Sequence, residues 1–187
     1  MIISIAGFDP SLSNWGIAEA KLDLTGGYLS DPVLTLVSPD ELKGKQTRVN
    51  SMDLHRSEQL AKTAIEVAQR SKVVFVEVPV GSQSARAMAS YGVCIGILGS
   101  IRSLGIPLIE VTAAEVKKTA TGNKNASKKQ MIDWAVELYP EANWPTYRRH
   151  GETHMADKAE HVADALGAIH AGVLTPTFQN LMRLFER

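Results

Sequence analysis

The sequence predicts an α/β protein: a mixed sheet of three antiparallel and then two parallel strands, with helices on both faces. Two observations lead there. Three strand-like runs separated by turns open the chain as an antiparallel meander. After them, short β-branched runs alternate with helical segments, which is the pattern of parallel strands joined by crossover helices. The length of 187 residues suits a single domain, residues 1–187, with a proper core.

The first run, Met1 to Phe8, is apolar and ends at Asp9-Pro10. A turn over Ser11 to Asn14 leads to a second strand near Trp15 to Leu22, and Gly26-Gly27 turns into a third run, Tyr28 to Val37. A helix is expected over Ser51 to Arg70, with Leu54, Ala61, Ile65 and Ala68 on its apolar face. Lys72 to Val78 is a β-branched run between two helices, as a buried parallel strand would be, and Pro79 and Gly81 end it. A long helix follows from Gln83 to Leu104, stopped by Gly105, and Ile106 to Val111 is the next strand. Thr112 caps a short helix, with Glu115 completing a capping box, and Ser127 caps another that runs to Leu138. Tyr139 to Met155 reads as irregular. A helix over Ala156 to Ala171 and a short amphipathic helix after Pro176 complete the chain.

Composition narrows the function. Hydrophobic residues make up 44% and charged residues 21%, as in a soluble globular protein. No apolar run approaches the roughly 18 residues of a membrane span, and the N-terminus lacks the basic flank of a secretory signal, so a cytoplasmic protein without membrane contact is expected. The lone Cys94 excludes an internal disulfide and a cysteine-rich zinc site and reads as a small core residue. Twenty basic and twenty acidic residues balance, so a nucleic-acid partner would have to meet a local patch. No phosphate loop, H-E-x-x-H, C-x-x-C or G-x-S-x-G motif is present.

The chemistry therefore rests on carboxylates. Asp9 stands at the end of the first strand and Glu77 near the end of the fourth, inside VVFVEVP. An ionised carboxylate in a buried strand is costly unless paired, so Glu77 is either half of a salt bridge or a metal ligand. Asp9-Pro10 also suits a simple turn. In KAEHVADALGAIHAG, His161 and Asp164 share a helix face, and such a pair serves either as a local helix contact or as a ligand pair. Small residues around them (Ala159, Ala163, Ala165, Gly167, Ala168) allow this helix to pack close to a sheet. Three carboxylates and one imidazole suit Mg²⁺ or Mn²⁺, and two such ions clamp a phosphodiester for in-line attack by water.

Five segments in order, IAGFDPSLSNWGIA, VVFVEVP, ARAMASYGVCIGILGSI, VTAAEVKKTATGNKNASKKQM and KAEHVADALGAI, give the chain a resemblance to the RuvC family of Holliday junction resolvases, within the RNase H-like nucleases. The likeness spans about Ile3 to Gly172 and leans toward the compact phage-type members, which would place the protein in the cytoplasm of a bacterial host. It implies the RNase H-like fold and a crossover junction endodeoxyribonuclease. Two Mg²⁺ or Mn²⁺ ions would be held by Asp9, Glu77, His161 and Asp164, His161 filling a position where the family carries Asp or His. The implied enzyme is a homodimer that nicks two opposed strands of a four-way DNA junction, leaving 5′-phosphates and 3′-hydroxyls. Some members carry an aromatic residue three positions after the second carboxylate; Val80 stands there in this chain.

A basic patch answers the neutral overall charge. Between Glu115 and Asp133 there is no acidic residue, but there are five lysines, Lys117, Lys118, Lys124, Lys128 and Lys129. They form either a solvated face or a phosphate-binding surface, to which backbone N–H groups at the Ser127 helix start would add donors. The resemblance puts Lys117 and Lys128 at DNA-contacting positions. Tyr147, Arg148, Arg149 and His150 form a second patch that either contacts phosphates or packs. Ala85, Ala89, Gly92, Gly96 and Gly99 line the long helix, either for packing on its own sheet or, as the resemblance implies, for a helix-helix dimer contact. Trp15, Trp134 and Trp144 read as packing residues. The rivals are a nuclease of the same fold acting on flaps, forks or RNA–DNA hybrids, a DNA-binding module without catalysis, and an actin-like ATPase, for which the chain is too short.

Overall fold

The computed structural model describes residues 1–42 and 48–185. Its main sheet has five strands in the order β3-β2-β1-β4-β5. The strands are β1 (Ile2–Asp9), β2 (Trp15–Asp23), β3 (Val33–Val37), β4 (Val73–Glu77) and β5 (Leu108–Val111). The first three are antiparallel, and β4 and β5 extend the sheet in parallel from the other side of β1, as the sequence predicts. β1 and β4 are covered on both faces, so Ile5 to Phe8 and Val73 to Val76 are all buried. That explains why both read as continuous apolar runs rather than alternating ones.

α1 (Val49–Arg70) and α2 (Ala85–Ser103) cover one face. There Leu60, Val67, Cys94, Ile97 and Ile101 pack on Ala6, Phe8, Val74 and Val76. α3 (Ala113–Thr121), α4 (Lys128–Leu138), α5 (Ala159–Gly172) and α6 (Pro176–Phe185) follow in the chain. On the opposite face Val116, Met131, Leu166 and Phe178 pack on Ile5, Ala18, Phe75 and Ile109. Both predicted caps are present. Thr112 and Glu115 form a capping box at α3, and Ser127 forms one at α4 with Gln130. Trp15 is fully buried and Trp134 and Trp144 pack against the core, as expected of packing residues. Among the described residues no helix is long and apolar enough to cross a membrane.

Three expectations change. The third run begins as a strand only at Val33, because Pro32 has no N–H for the ladder; Leu29 makes only an isolated bridge to Leu22. On α1, Leu54 is 71% exposed, and Asp53 takes the inward position, held by two hydrogen bonds from the Arg86 guanidinium on α2. The segment read as irregular contains a hairpin, β6 (Thr146–Arg149) and β7 (Glu152–Met155), outside the main sheet. Its two-residue turn has φ of 51° at His150 and 85° at Gly151, the pair of positive angles a type I′ turn requires.

Candidate metal-binding site and its basic rim

The register of the sheet sets two carboxylates side by side. Phe8 is opposite Val76 in the parallel β1–β4 pair, so Asp9 and Glu77 leave the same end of adjacent strands. Helix α5 supplies the other two groups by an unusually close approach. A methyl group on Gly7 would overlap the carbonyl oxygen of Ala165, and one on Gly16 would overlap that of His161. With no side chain between helix and strands, the helix backbone rests on the sheet backbone. His161 Nδ1 then lies 2.6 Å from Asp9 Oδ2, across a sequence separation of 152 residues. The small residues of α5 were legible in the sequence. The strand glycines that receive them were not, although Gly7 and Gly16 stand inside IAGFD and WGIA.

Burial and mutual repulsion govern the protons here. Burial, then the neighbouring Asp9 and Asp164 carboxylates, push the Glu77 carboxyl up to about 8, with Lys117 opposing. Burial and Asp9 push Asp164 up to about 7, again against Lys117. Burial disfavours the charged His161 ring, but its hydrogen bond and attraction to Asp9 outweigh that, and its value is raised. Glu77 has no ion-pair partner among the described residues, so the salt-bridge explanation for it is not met. Asp164 Oδ1 is buried without any hydrogen-bond partner. An orphaned carboxylate oxygen between like charges is expensive, and a cation is what relieves it.

The donor set therefore fits a hard divalent ion: carboxylate oxygens with one imidazole, and a buried acceptor to spare. As the side chains stand, no three His, Cys, Asp or Glu groups among the described residues are gathered closely enough to share an ion. The fit lies in donor chemistry and backbone placement, and closing on an ion takes side-chain rotation.

Two hollows flank the His161–Asp9 bond. One, of about 340 Å³, is lined by Asp9, Glu77, Val80, Gly81 and Tyr91. Tyr91 escaped the sequence reading because nothing local marks it. The other is a groove of about 750 Å³ lined by Asn14, Lys128, Lys129, Met155, Lys158 and His161, among others. Lys128 Nζ lies 2.6 Å from Glu160 Oε1, beside His161, and Lys129 Nζ 2.6 Å from Asp133 Oδ2. Lys117 is half-buried and acts on the charges of Glu77 and Asp164, whereas Lys118 lines a separate hollow with Glu115 and Leu174. Lys124 is exposed before α4. The Ser127 N–H is already bonded to Gln130 Oε1 and the Gln130 N–H to Ser127 Oγ, so only the Lys128 and Lys129 N–H groups are open to an anion at this helix start. Arg148 and Arg149 are exposed on the hairpin, whose base, Met155 and Ala156, forms part of the groove wall.

No protein-family model matches the sequence, and no curated protein matches it significantly. Solved structures do. The chain is similar to Thermus thermophilus RuvC in complex with a Holliday junction substrate, at 18% identity and a TM-score of 0.62, over 95% of this chain and 96% of that one. It is also similar to a second Thermus thermophilus RuvC structure, at 19% identity and a TM-score of 0.60, over 98% and 97%. The fold is that of RuvC, the RNase H-like fold that the resemblance implied.

Proposed function

We propose that this protein is a divalent-metal-dependent endonuclease that resolves four-way DNA junctions by paired nicking as a homodimer. The observation that carries the reading is the convergence of Asp9, Glu77, His161 and Asp164 at one end of the sheet, on a fold shared with a junction-bound RuvC. Asp9, Glu77 and Asp164 are the proposed ligands of Mg²⁺ or Mn²⁺, two ions per site, with His161 as fourth ligand or as the group that orients the attacking water. When bound, the ions stabilise charge on the phosphodiester and lower the pKa of attacking water. The chain's own part is to keep three carboxylates and an imidazole desolvated at one end of the sheet, where the carboxylates' repulsion is relieved by protons or by a bound cation. Lys117 balances part of that charge. Lys128 and Lys129 on the groove are proposed to receive DNA phosphates, with Lys118, Lys124, Arg148 and Arg149 on outlying paths of the strands and the α4 start adding donors beyond Ser127.

The dimer reading is supported by α2. Gly92, Gly96 and Gly99 have open space where a side chain would stand, and Met88 and Ile95 are 46% and 48% exposed on the same helix. Packing on the chain's own sheet does not use that stripe. Two sites related by a two-fold axis match the symmetry of a junction.

The test is cleavage of a labelled four-way junction, a flap, an RNA–DNA hybrid and a linear duplex in Mg²⁺ and in Mn²⁺. Paired symmetric nicks on the junction are expected. Cutting of flaps or hybrids with the junction spared would move the activity to another branched or hybrid substrate on the same fold. Asp9→Asn should lower cleavage by several orders of magnitude and leave junction binding within a few-fold. Loss of binding by a folded Asp9→Asn variant would place Asp9 on the DNA surface instead.

A further inference from the structure

The β6–β7 hairpin is not accounted for by the core or by the carboxylate site. None of its residues belongs to either hydrophobic cluster, and seven of its eight strand positions are polar or charged side chains or a tyrosine. A lone two-stranded hairpin is marginal in water. This one is held by its type I′ turn, by the Ala156 N–H donating to the Pro145 carbonyl at 2.9 Å, and by a cross-strand ring pair. The pair is Tyr147 and His154, stacked with centroids 5.6 Å apart and planes 29° apart. Tyr147 remains 47% exposed.

A single exposed tyrosine needs no explanation. Its surroundings do. Strand alternation puts Arg149 on the same face as Tyr147 and Arg148 on the other. Neither arginine has an ion-pair partner among the described residues; the Glu152 carboxylate, cross-strand from Arg149, lies 3.8 Å from His154 Nε2 instead. The base of the hairpin shares a groove with His161, Lys128 and Lys129. Four residues at roughly 3.3 Å each carry the tip about 13 Å from that base. A half-exposed ring with one unpaired arginine on its own face and a second on the opposite face of the same strand, mounted on the rim of the groove, is the chemistry that holds a single-stranded nucleic acid.

We propose that this hairpin is a second DNA contact, in which Tyr147, backed by His154, stacks on an unpaired base while Arg148 and Arg149 hold the flanking phosphates. The inference rests on the nuclease reading above and deepens it. Bases within a duplex are already stacked and offer no free face. Tyr147 therefore adds affinity only where pairing is broken, at a junction centre or a strand end, and the arginines add affinity everywhere. The hairpin is thus a source of structure selectivity separate from the carboxylates.

The test is fluorescence anisotropy of the full chain, without divalent ions so that no cutting occurs, on a labelled four-way junction and on linear duplex of the same sequence. Tyr147→Ala should weaken junction binding roughly tenfold, within the range for losing one base-stacking aromatic, and leave duplex binding within twofold. Tyr147→Phe should restore junction binding, because the ring and not the hydroxyl is used. Arg148→Ala with Arg149→Ala should weaken both substrates and flatten the salt dependence. Far-UV circular dichroism checks that each variant is folded. A wild type that binds and cuts the junction, with Tyr147→Ala indistinguishable from it or equally impaired on both DNAs, overturns the hairpin inference alone. A wild type that neither binds nor cuts any of these DNAs overturns the nuclease reading and the inference with it.

Discussion

Helices α5 and α2 are both rich in alanine and glycine, and the fold uses that composition in opposite ways. On α5, Ala159, Ala163, Ala165, Gly167, Ala168, Ala171 and Gly172 are all buried, because the sheet lies directly beneath the helix and α3 and α4 flank it. On α2 only Cys94, Ile97, Leu98 and Ile101 are buried, and its three glycines face open space. Small residues permit close approach without saying to what. The answer lies on the opposing surface. Opposite α5 stand Gly7 and Gly16, which complete a contact within the chain. Opposite the α2 stripe the described residues supply nothing, which leaves that face open to the second copy proposed above.

The comparison is most sharply tested where it is tightest. Gly16→Ala would drive a methyl into the His161 carbonyl, a backbone atom that cannot rotate away. Overpacking of cores typically costs about 1–3 kcal/mol, and a clash with backbone belongs at or above the top of that range. The helix would have to lift, separating His161 from Asp9. We expect a lowered urea midpoint and loss of any stabilisation by Mg²⁺ or Mn²⁺. A variant with wild-type stability and an intact metal response would show that the helix position is not set by this contact.

The charge on the site gives the next largest effect. Glu77 and Asp164 hold their protons to about 8 and about 7, well above the ordinary carboxylate range. Between the ordinary carboxylate range and those raised values the folded chain binds protons that the unfolded chain has released, so stability falls as pH rises through the window. His161 acts in the same direction: its raised value favours folding below the ordinary histidine range, and that contribution is lost as pH rises through it. Thermal midpoints in chelator should therefore decline from about pH 5 to about pH 8. Added Mg²⁺ or Mn²⁺ should offset the decline, with a gain that grows with pH as the cation replaces protons. A flat pH profile in chelator, or a metal gain independent of pH, would separate these carboxylates from ion binding.

Much of this arrangement was legible in the residues, and the exceptions have physical reasons. Glu77 stood out because a carboxylate ending a run of buried β-branched residues violates the local pattern, and Asp9 because it ends the apolar first strand. Thr112 and Glu115 announced a helix start because the capping box is a fixed spacing. The hairpin escaped because TYRR and ETHM carry no apolar alternation, and because a His-Gly turn is a weaker signal than Asn-Gly. Leu54 misled because helical spacing cannot foresee that Asp53 would be drawn inward by Arg86, a residue 33 positions away. Gly7 and Gly16 were silent because a glycine has no side chain to join a pattern, and its meaning appears only once a helix lies across it.

The smallest effect is the mirror image of the largest. Gly96→Ala on α2 adds a methyl where nothing stands within 4 Å. In an isolated chain the change should be favourable, since glycine inside a helix costs roughly 0.5–1 kcal/mol relative to alanine. In a dimer packed through that stripe, the same methyl occupies the space the partner helix needs. Gly96→Ala should therefore raise the urea midpoint slightly at protein concentrations where the chain is monomeric, and shift the monomer–dimer equilibrium toward monomer in sedimentation equilibrium. The two readouts move in opposite directions only if the stripe meets another chain. A stabilised variant with unchanged self-association would place the dimer contact elsewhere, and would leave the open glycines of α2 without the role that the buried glycines beneath α5 so clearly have.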